Sequence, residues 1–405
     1  MSKKTDKDEA EFTLNRYRVV DLTRAQAGPV CTSLLAHLGM EVIKVESARQ
    51  HDFMRIIPPY LPGERNRDSS GHYAVFNQGK KSVLLDISDP KGLSLIQDLI
   101  RISDVVVDNF APGVMEKLGL SYTAVSAVKP DIIMASLTGY GSTGPYKDYV
   151  AFAKPVQAYS GLIELTGYAD GPPGEPAIAM GDNFLGTYGA FAVLSALYHR
   201  SRTGEGQCID VSMAESVVCS LPDAALEYAM NGELRNRKGN RDPLMAPHDV
   251  YRCKGEDEWV AIALSNDDEW DALCSVIDAL DPTLCRFNDH EVVDRAIEAW
   301  TLGQTKHQAM KRLQAAGIPA AAVMNAGDLV EDPHLRARNY FLKSDHPTAP
   351  GHWFGRAGWK MSDTPVGIQR WHAPSEGEDN AYVYGELLGF SDREIAALID
   401  EKVIY

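Results

Sequence analysis

The alternation of strand-like and helix-like patterns through the first half of the chain constrains its fold more than any single motif. Arg16–Leu22 (RYRVVDL) reads as a strand, followed by the loop TRAQAGP and a helix over Pro29–Leu38 that Gly39 stops. Pro at the start and Gly after the end are normal helix punctuation. Glu41–Glu46 (EVIKVE) is the next strand, so the chain opens as a βαβ unit. After an irregular stretch at 48–80, strands at Ser82–Leu85, Asp104–Val107 and Asp131–Leu137 alternate with helices at Pro90–Ile102 and Pro112–Leu118, the last closed by Gly119. A further strand is read at Ile209–Met213. Such an order predicts an α/β fold with a doubly wound, Rossmann-like parallel sheet covered by helices on both faces. Ligands of these sheets sit beyond the carboxyl ends of the strands.

Between the last two strands, Met180–Gln207 reads as a loop that ends in Gly181-Asp182, then a long apolar helix, then a polar stop. Leu185, Tyr188, Ala192 and Ser195 share a face, which Phe191, Leu194 and Tyr198 broaden. A helix this apolar is expected to be buried, with its first turn near the middle of the molecule. Asp182 stands at the expected N-cap, where free N–H groups and the helix dipole keep a carboxylate ionised. An ionised, poorly solvated carboxylate is a competent nucleophile. Taken alone Asp182 reads as a cap, and chemistry needs support from the rest of the chain. Gly139-x-Gly141-x-x-Gly144 matches a dinucleotide fingerprint only formally. Pro145 and the polar residues after it do not open an apolar helix, so a backbone turn is the better reading.

Beyond residue 225 the composition shifts. Asn231–Pro247 is polar and basic and reads as a linker or mobile loop. A hairpin is predicted from Asp249–Cys253 and Glu258–Leu264, then helices at 266–280, 291–300 and 303–316 and a strand at Ala320–Met324. This predicts a second, smaller α/β domain. Residues 340–375 are expected to return across the first domain, and Ser391–Glu394 is a capping box for the last helix. The net charge of −16 argues against nucleic-acid or anionic-membrane partners. No apolar run approaches the ~20 residues of a membrane span. Six cysteines without CxxC spacing read as reduced, mostly buried thiols of a cytoplasmic protein. The first eleven residues, MSKKTDKDEAE, read as a loose tail without the apolar core of a signal peptide.

Several long blocks in order carry a family resemblance. They are VVDLTRAQAGPVCTSLLAHLGMEVIKVE, FNQGKKSVLLD, SDVVVDNFAPGVMEKLGL, PDIIMASLTGYGSTGPY, the GD before the central helix, TGEGQCIDVSM, AAGIPAAAV with DPHLRAR, and GELLGFSDREIAAL. From about residue 17 to its end the chain resembles the class III CoA-transferases, the group of formyl-CoA:oxalate and carnitine CoA-transferases, which also holds the 2-methylacyl-CoA racemases. The resemblance implies a large CoA-binding domain from residues 12–225 completed by 340–405, a small domain over 226–339, and two subunits interlocked like linked rings. It implies acyl-CoA and a carboxylic acid as substrates, no metal, and an interlocked homodimer or a heteromer with a homologous subunit. The family nucleophile is the Asp of the GD motif, here Asp182. Its carboxylate forms an acyl anhydride and then an aspartyl-CoA thioester. Oxyanion donors are sought in the turns at Gly139–Gly144 and around Gly239.

The coenzyme A contacts implied by the resemblance are Gln26 and Ala27 after the first strand, Leu85, Asp86, Ile87 and Ser88 along the adenine, and Asn109, Phe110 and Ala111 in the NFxPG loop. Lys117 stands where relatives often have Arg and loses bidentate phosphate geometry. Ser47 follows the IKxE motif where relatives can carry Arg, which leaves Arg49 or Lys81 for the 3′-phosphate. His248 and His334 read as structural hydrogen-bonders. The racemases place a His-Asp pair in the segment matched by Ala151–Gly161; here Phe152 and Ala153 stand there, which favours transfer over racemisation. A CoA-binding subunit without turnover is the other alternative. Arg241–Asp249 (RDPLMAPHD) lacks the glycine run of the oxalate branch and carries Leu244 and Met245. That favours a dicarboxylic or aryl-substituted acceptor, with succinyl-CoA as the donor.

Overall fold

The computed structural model describes residues 12–60, 65–343, 353–367, 370 and 372–405. The tail expected at 1–11 lies outside the described residues, as does part of the return segment. Elements of the first half are β1 (Arg18–Asp21), α1 (Ala27–His37), β2 (Glu41–Glu46), α2 (Gly71–Asn77), β3 (Lys81–Leu84), α3 (Pro90–Arg101), β4 (Val105–Asp108), α4 (Val114–Lys117), α5 (Tyr122–Val128) and β5 (Ile133–Thr138). Then come α6 (Ala153–Tyr159), α7 (Leu162–Leu165), α8 (Met180–Thr203), β6 (Gln207–Ser212), α9 (Met213–Val218) and α10 (Pro222–Asn231). The six strands form one parallel sheet in the order β3-β2-β1-β4-β5-β6. The winding reverses between β1 and β4, and the crevice beyond their carboxyl ends is the ligand position of such sheets.

Alternation along the strands sorts the core into two layers. Val19, Val105, Val107, Ile133 and Ala135 point toward α1 and α8. Val20, Val106, Ile132 and Met134 point toward α3, α5 and the C-terminal segment. Both faces are therefore covered, and this is the mixed α/β, Rossmann-like class expected. The chain divides into two compact units, the first formed by Met1–Leu162, Pro176–Met230 and Arg336–Tyr405. The C-terminal residues join this unit by specific bonds: Gly79 N–H donates to His372 O (3.1 Å), Asp86 N–H to Val403 O (2.9 Å) and Tyr384 Oη to Leu84 O (3.0 Å).

The second unit holds Ile163–Glu175 and Asn231–Leu335, so it also takes a segment from before α8 that the expected boundaries leave in the large domain. Its strands β7 (His248–Arg252), β8 (Trp259–Ala263) and β9 (Ala320–Ala322) are antiparallel. One face of that sheet packs on α11 (Asp267–Val276), α12 (His290–Thr301) and α13 (Lys306–Ala315). The expected hairpin and three helices are present. Next are α14 (Ala326–Glu331), α15 (Pro333–Ala337), the pair β10 (Phe341–Lys343) and β11 (Trp353–Gly355), a π-helical stretch Ala381–Leu387 and α16 (Asp392–Asp400). The Ser391–Glu394 capping box is formed at the start of α16.

Three expectations need correction. Residues 48–80 are not irregular throughout: a 3₁₀ turn at Phe53–Ile56 is capped by Asp52, and α2 is capped by Ser70. The packed face of α8 is not the one with the largest side chains. Leu185, Gly186, Gly189, Ala190, Val193, Ala196 and Leu197 are buried, whereas Phe191 is 69% and Tyr198 65% exposed. Small residues line the packed face because α1 approaches too closely to admit bulk. The cysteines are not mostly buried: Cys31 and Cys253 are, but Cys208, Cys219 and Cys285 are exposed. Cys208 lies on β6, the edge strand, whose side chains alternate outward.

Candidate active site

The helices α1 and α8 run side by side in the same direction. Asn183 Oδ1 lies 3.4 Å from Gln26 Nε2. One turn on, a Cβ on Gly186 would stand 2.6 Å from Val30 Cβ, and a Cβ on Gly189 3.2 Å from Cys31 Sγ. The pairing 183 with 26, 186 with 30 and 189 with 31 fixes a parallel packing, so both positive helix ends open at one place. Asp182 is in the first turn of α8 at that opening. It is not the N-cap, which is Ala179, and no side chain caps the helix from that position. The adjacent first-turn amide, Gly181 N–H, is taken by Gln157 Oε1 of α6 at 2.8 Å. Burial pushes the Asp182 carboxyl up to about 6. At neutral pH the group is still ionised by about ten to one, without the stabilisation expected of a capping carboxylate.

The loop that carries Gln26 is pinned from below by buried charge. At the end of β1, Asp21 Oδ1 accepts from Thr23 N–H (2.9 Å), and its Oδ2 accepts from Thr32 Oγ1 (2.7 Å) and Lys80 Nζ (3.0 Å). Burial opposes this charge, but Lys80, Lys44 and the two hydroxyls hold the Asp21 carboxyl below the usual range. Lys44 Nζ donates to Thr23 O (2.7 Å) and to Asp52 Oδ2 (3.1 Å), while Asp52 Oδ1 accepts from Ala25 N–H (3.2 Å). Ala25, held from both sides, has φ of +64°, a conformation that an L-residue adopts only when its surroundings impose it. From the β4 side, Asn109 Oδ1 accepts from Arg24 N–H (2.8 Å) and its Nδ2 donates to Arg24 O (2.7 Å). The loops after β1 and β4 are thus clasped at the topological switch point.

Comparison with known proteins agrees with this layout. The profile of CoA-transferase family III matches residues 14–380. The chain belongs to that family. It is 32% identical to a succinyl-CoA–D-citramalate CoA-transferase of Chloroflexus aurantiacus, covering 96% of this chain and 98% of the relative. Identity is 31% to a formyl-CoA:oxalate CoA-transferase of Rhodopseudomonas palustris, with 96% and 97% covered. It is 34% to a succinyl-CoA:mesaconate CoA-transferase of Haloarcula hispanica, with 83% and 86% covered. Among solved structures, a CAIB/BAIF family protein from Brucella suis superposes with a TM-score of 0.83 at 30% identity, covering 92% of this chain and 98% of that one. The protein is a CoA-transferase whose substrates are CoA thioesters and carboxylates.

Other residues expected at the transferase site are distributed unevenly. Gln26 is the N-cap of α1 and Ala27 its first residue. Leu85 bridges to Ile404, and Asp86 Oδ1 accepts from Ser88 N–H at 3.1 Å, so Leu85, Asp86, Ile87 and Ser88 form a short turn tied to the C-terminus. Arg49 joins this turn through Asp86 (3.1 Å) and Tyr405 Oη (3.3 Å). Lys81 instead opens β3 at its amino end and lies over the Tyr382 ring at 4.2 Å. Phe110 stands 6.0 Å from the Arg24 guanidinium, and Ala111 and Lys117 are exposed. In each of the turns sought for oxyanion donors one amide is already bonded. Ser142 N–H, between Gly141 and Gly144, is bonded to Asp210, and Gly239 N–H donates to Gly167 O (2.8 Å). His248 Nδ1 pairs with Asn240 O at 2.5 Å, the structural role read for it. Among the described residues no group of three or more His, Cys, Asp or Glu is arranged to hold a metal ion, and no helix is long and apolar enough to cross a membrane.

Sequence reasoning misses Arg24, Gln157 and Asn183. Arg24 is visible in the TRAQ loop, but nothing local shows that Asn109 would clasp it. The only trace of Gln157 is a polar residue just after Val156 in a short, mostly apolar segment, where nothing local marks it as a partner of the α8 start.

Proposed function

We propose that this CoA-transferase works through Asp182 as a covalent nucleophile and moves CoA from succinyl-CoA to a dicarboxylic acid. The observation that carries the mechanism is the place of Asp182: a partly buried carboxylate, raised to about 6, in the first turn of α8 beside the N-terminus of α1. Its Oδ attacks the thioester carbonyl, the C–S bond breaks, and CoA leaves as the thiolate. The thiolate attacks the aspartyl carbonyl of the mixed anhydride, releases succinate and leaves an aspartyl-CoA thioester. The acceptor carboxylate attacks that thioester and expels CoA thiolate, giving a new anhydride. Attack of the thiolate on the acceptor carbonyl then frees the product thioester and the Asp182 carboxylate. The acyl bond energy is conserved throughout, so the cycle needs no ATP. Gln26, Ala27, Asn109 and Phe110 edge the crevice for the CoA chain, and Arg49 with Asp86–Ser88 forms its nucleotide end.

The choice of acids rests on the relatives named above, two of them succinyl-CoA transferases to C5 dicarboxylates. It rests also on Leu244 and Met245 where the oxalate branch has glycines. Transfer is favoured over racemisation because Phe152, exposed at the start of α6, cannot accept a proton. The interlocked dimer is favoured by the exposed row Tyr188, Phe191 and Tyr198 along α8, and a reducing, cytoplasmic setting by six free cysteines. Succinyl-CoA offered with citramalate, mesaconate, an aryl-substituted acid or oxalate tests the assignment. Turnover with a C5 dicarboxylate is expected. Turnover with formyl-CoA and oxalate alone would overturn it.

A further inference from the structure

A buried side-chain donor without a partner stands at the start of α8, on the residue that holds the amide before Asp182. Gln157 is wholly buried. Its Oε1 accepts from Gly181 N–H at 2.8 Å. A backbone N–H only donates, so the amide orientation is settled and Nε2 is turned elsewhere. That Nε2 is buried and has no acceptor among the described residues. One residue beyond Gly181, the Asp182 carboxyl is shifted by burial alone, with no hydrogen bond contributing to the shift. A buried donor without an acceptor is rare and unfavourable in a folded protein. Gln157 sits in a tight place: it and its neighbour Val156 are fully buried, and a Cβ on Gly181 would meet Met213 Sδ at 3.0 Å and Gln157 Cγ at 3.5 Å.

We propose that Gln157 is a positioning residue for Asp182: its Oε1 fixes the Gly181–Asp182 peptide, and its Nε2 hydrogen-bonds the Asp182 carbonyl oxygen once the carboxylate is acylated. This rests on the nucleophile reading above and deepens it. Each cycle makes two tetrahedral centres at the Asp182 carbon, one as thiolate attacks the anhydride and one as the acceptor attacks the thioester. Each puts negative charge on the Asp182 oxygen, and an amide donor held in a dry site stabilises that charge. The free carboxylate is left without the bond and stays reactive.

The test compares Gln157→Glu and Gln157→Met with wild type and with Asp182→Ala, using succinyl-CoA and a C5 dicarboxylate. Glu keeps the volume and the acceptor for Gly181 N–H but loses the donor and adds a negative charge. Gln157→Glu is expected to lower kcat about 100-fold, with KM for succinyl-CoA within about threefold, and to move the acidic limb of the pH profile upward by about one unit. Gln157→Met is expected to show the fall in kcat without the upward move. A Gln157→Glu enzyme with wild-type kcat and an unmoved limb would overturn the proposal, because a capping role alone survives that change. If Asp182→Ala is dead while Gln157→Glu is normal, only this inference fails. If Asp182→Ala is active, the nucleophile reading itself fails.

Discussion

Gly186 and Ala27 meet where no side chain fits between them: a Cβ on Gly186 would lie 2.7 Å from the Ala27 carbonyl oxygen. This approach sets how far Asp182 stands from the loop that carries Gln26. Gly186→Ala should therefore push α8 away from α1. We expect a loss of about 1–3 kcal/mol in urea unfolding, with a fall in kcat/KM larger than for an alanine placed at exposed Gly204.

The acidic side of the pH–rate profile should report Asp182. In the proposed mechanism its carboxylate is the reactive form, so kcat/KM should fall as pH drops through about 6. The same shift has a stability consequence. The folded carboxyl binds its proton more readily than the unfolded one, so the destabilisation is absent below the unfolded value of 3.8, grows as pH rises to about 6, and stays constant above. Asp182→Asn should thus be more stable than wild type at pH 7.5, by about 1–2 kcal/mol after allowance for partial exposure. Thermal scans should show the gap closing as pH approaches 4.

Asp21 tests the support under the Gln26 loop. Asp21→Ala leaves Lys80 and Lys44 buried with less compensating charge and should destabilise by about 3–5 kcal/mol. Pairing Asp21→Asn with Lys80→Met should recover much of that loss in equilibrium unfolding. An additive double mutant would show that the two residues are not coupled.

The aromatic row on α8 makes assembly measurable. Equilibrium sedimentation at micromolar concentration should show a dimer, and Phe191→Glu should weaken it. A folded, fully active monomer would remove the interlocked assembly from the account.

Much of the fold is legible in the sequence because the βαβ alternation, the Gly39 and Gly119 stops and the Ser391–Glu394 box are local signals. The Gly181-Asp182 pair before an apolar helix is legible for the same reason, but alone it reads as a cap, and only the family resemblance singles out Asp182. Its electrostatics are not legible, since its proton affinity is raised by burial, which no local sequence signal shows. The packed face of α8 is hidden because side-chain size is a poor sign of burial where Gly186 and Gly189 are buried to let α1 approach. The Asp21–Lys80 and Lys44–Asp52 pairs are unreadable: each partner alone resembles a surface charge, and only the folded sheet and its loops bring them together.

The most direct test of the account is to trap the intermediate. Wild-type protein mixed with succinyl-CoA and quenched with hydroxylamine should carry a hydroxamate at Asp182, located by peptide mass spectrometry. Asp182→Ala should bind CoA with near-normal affinity, form no hydroxamate and transfer nothing. Hydroxamate at another residue, or turnover by Asp182→Ala at the wild-type rate, would contradict the mechanism.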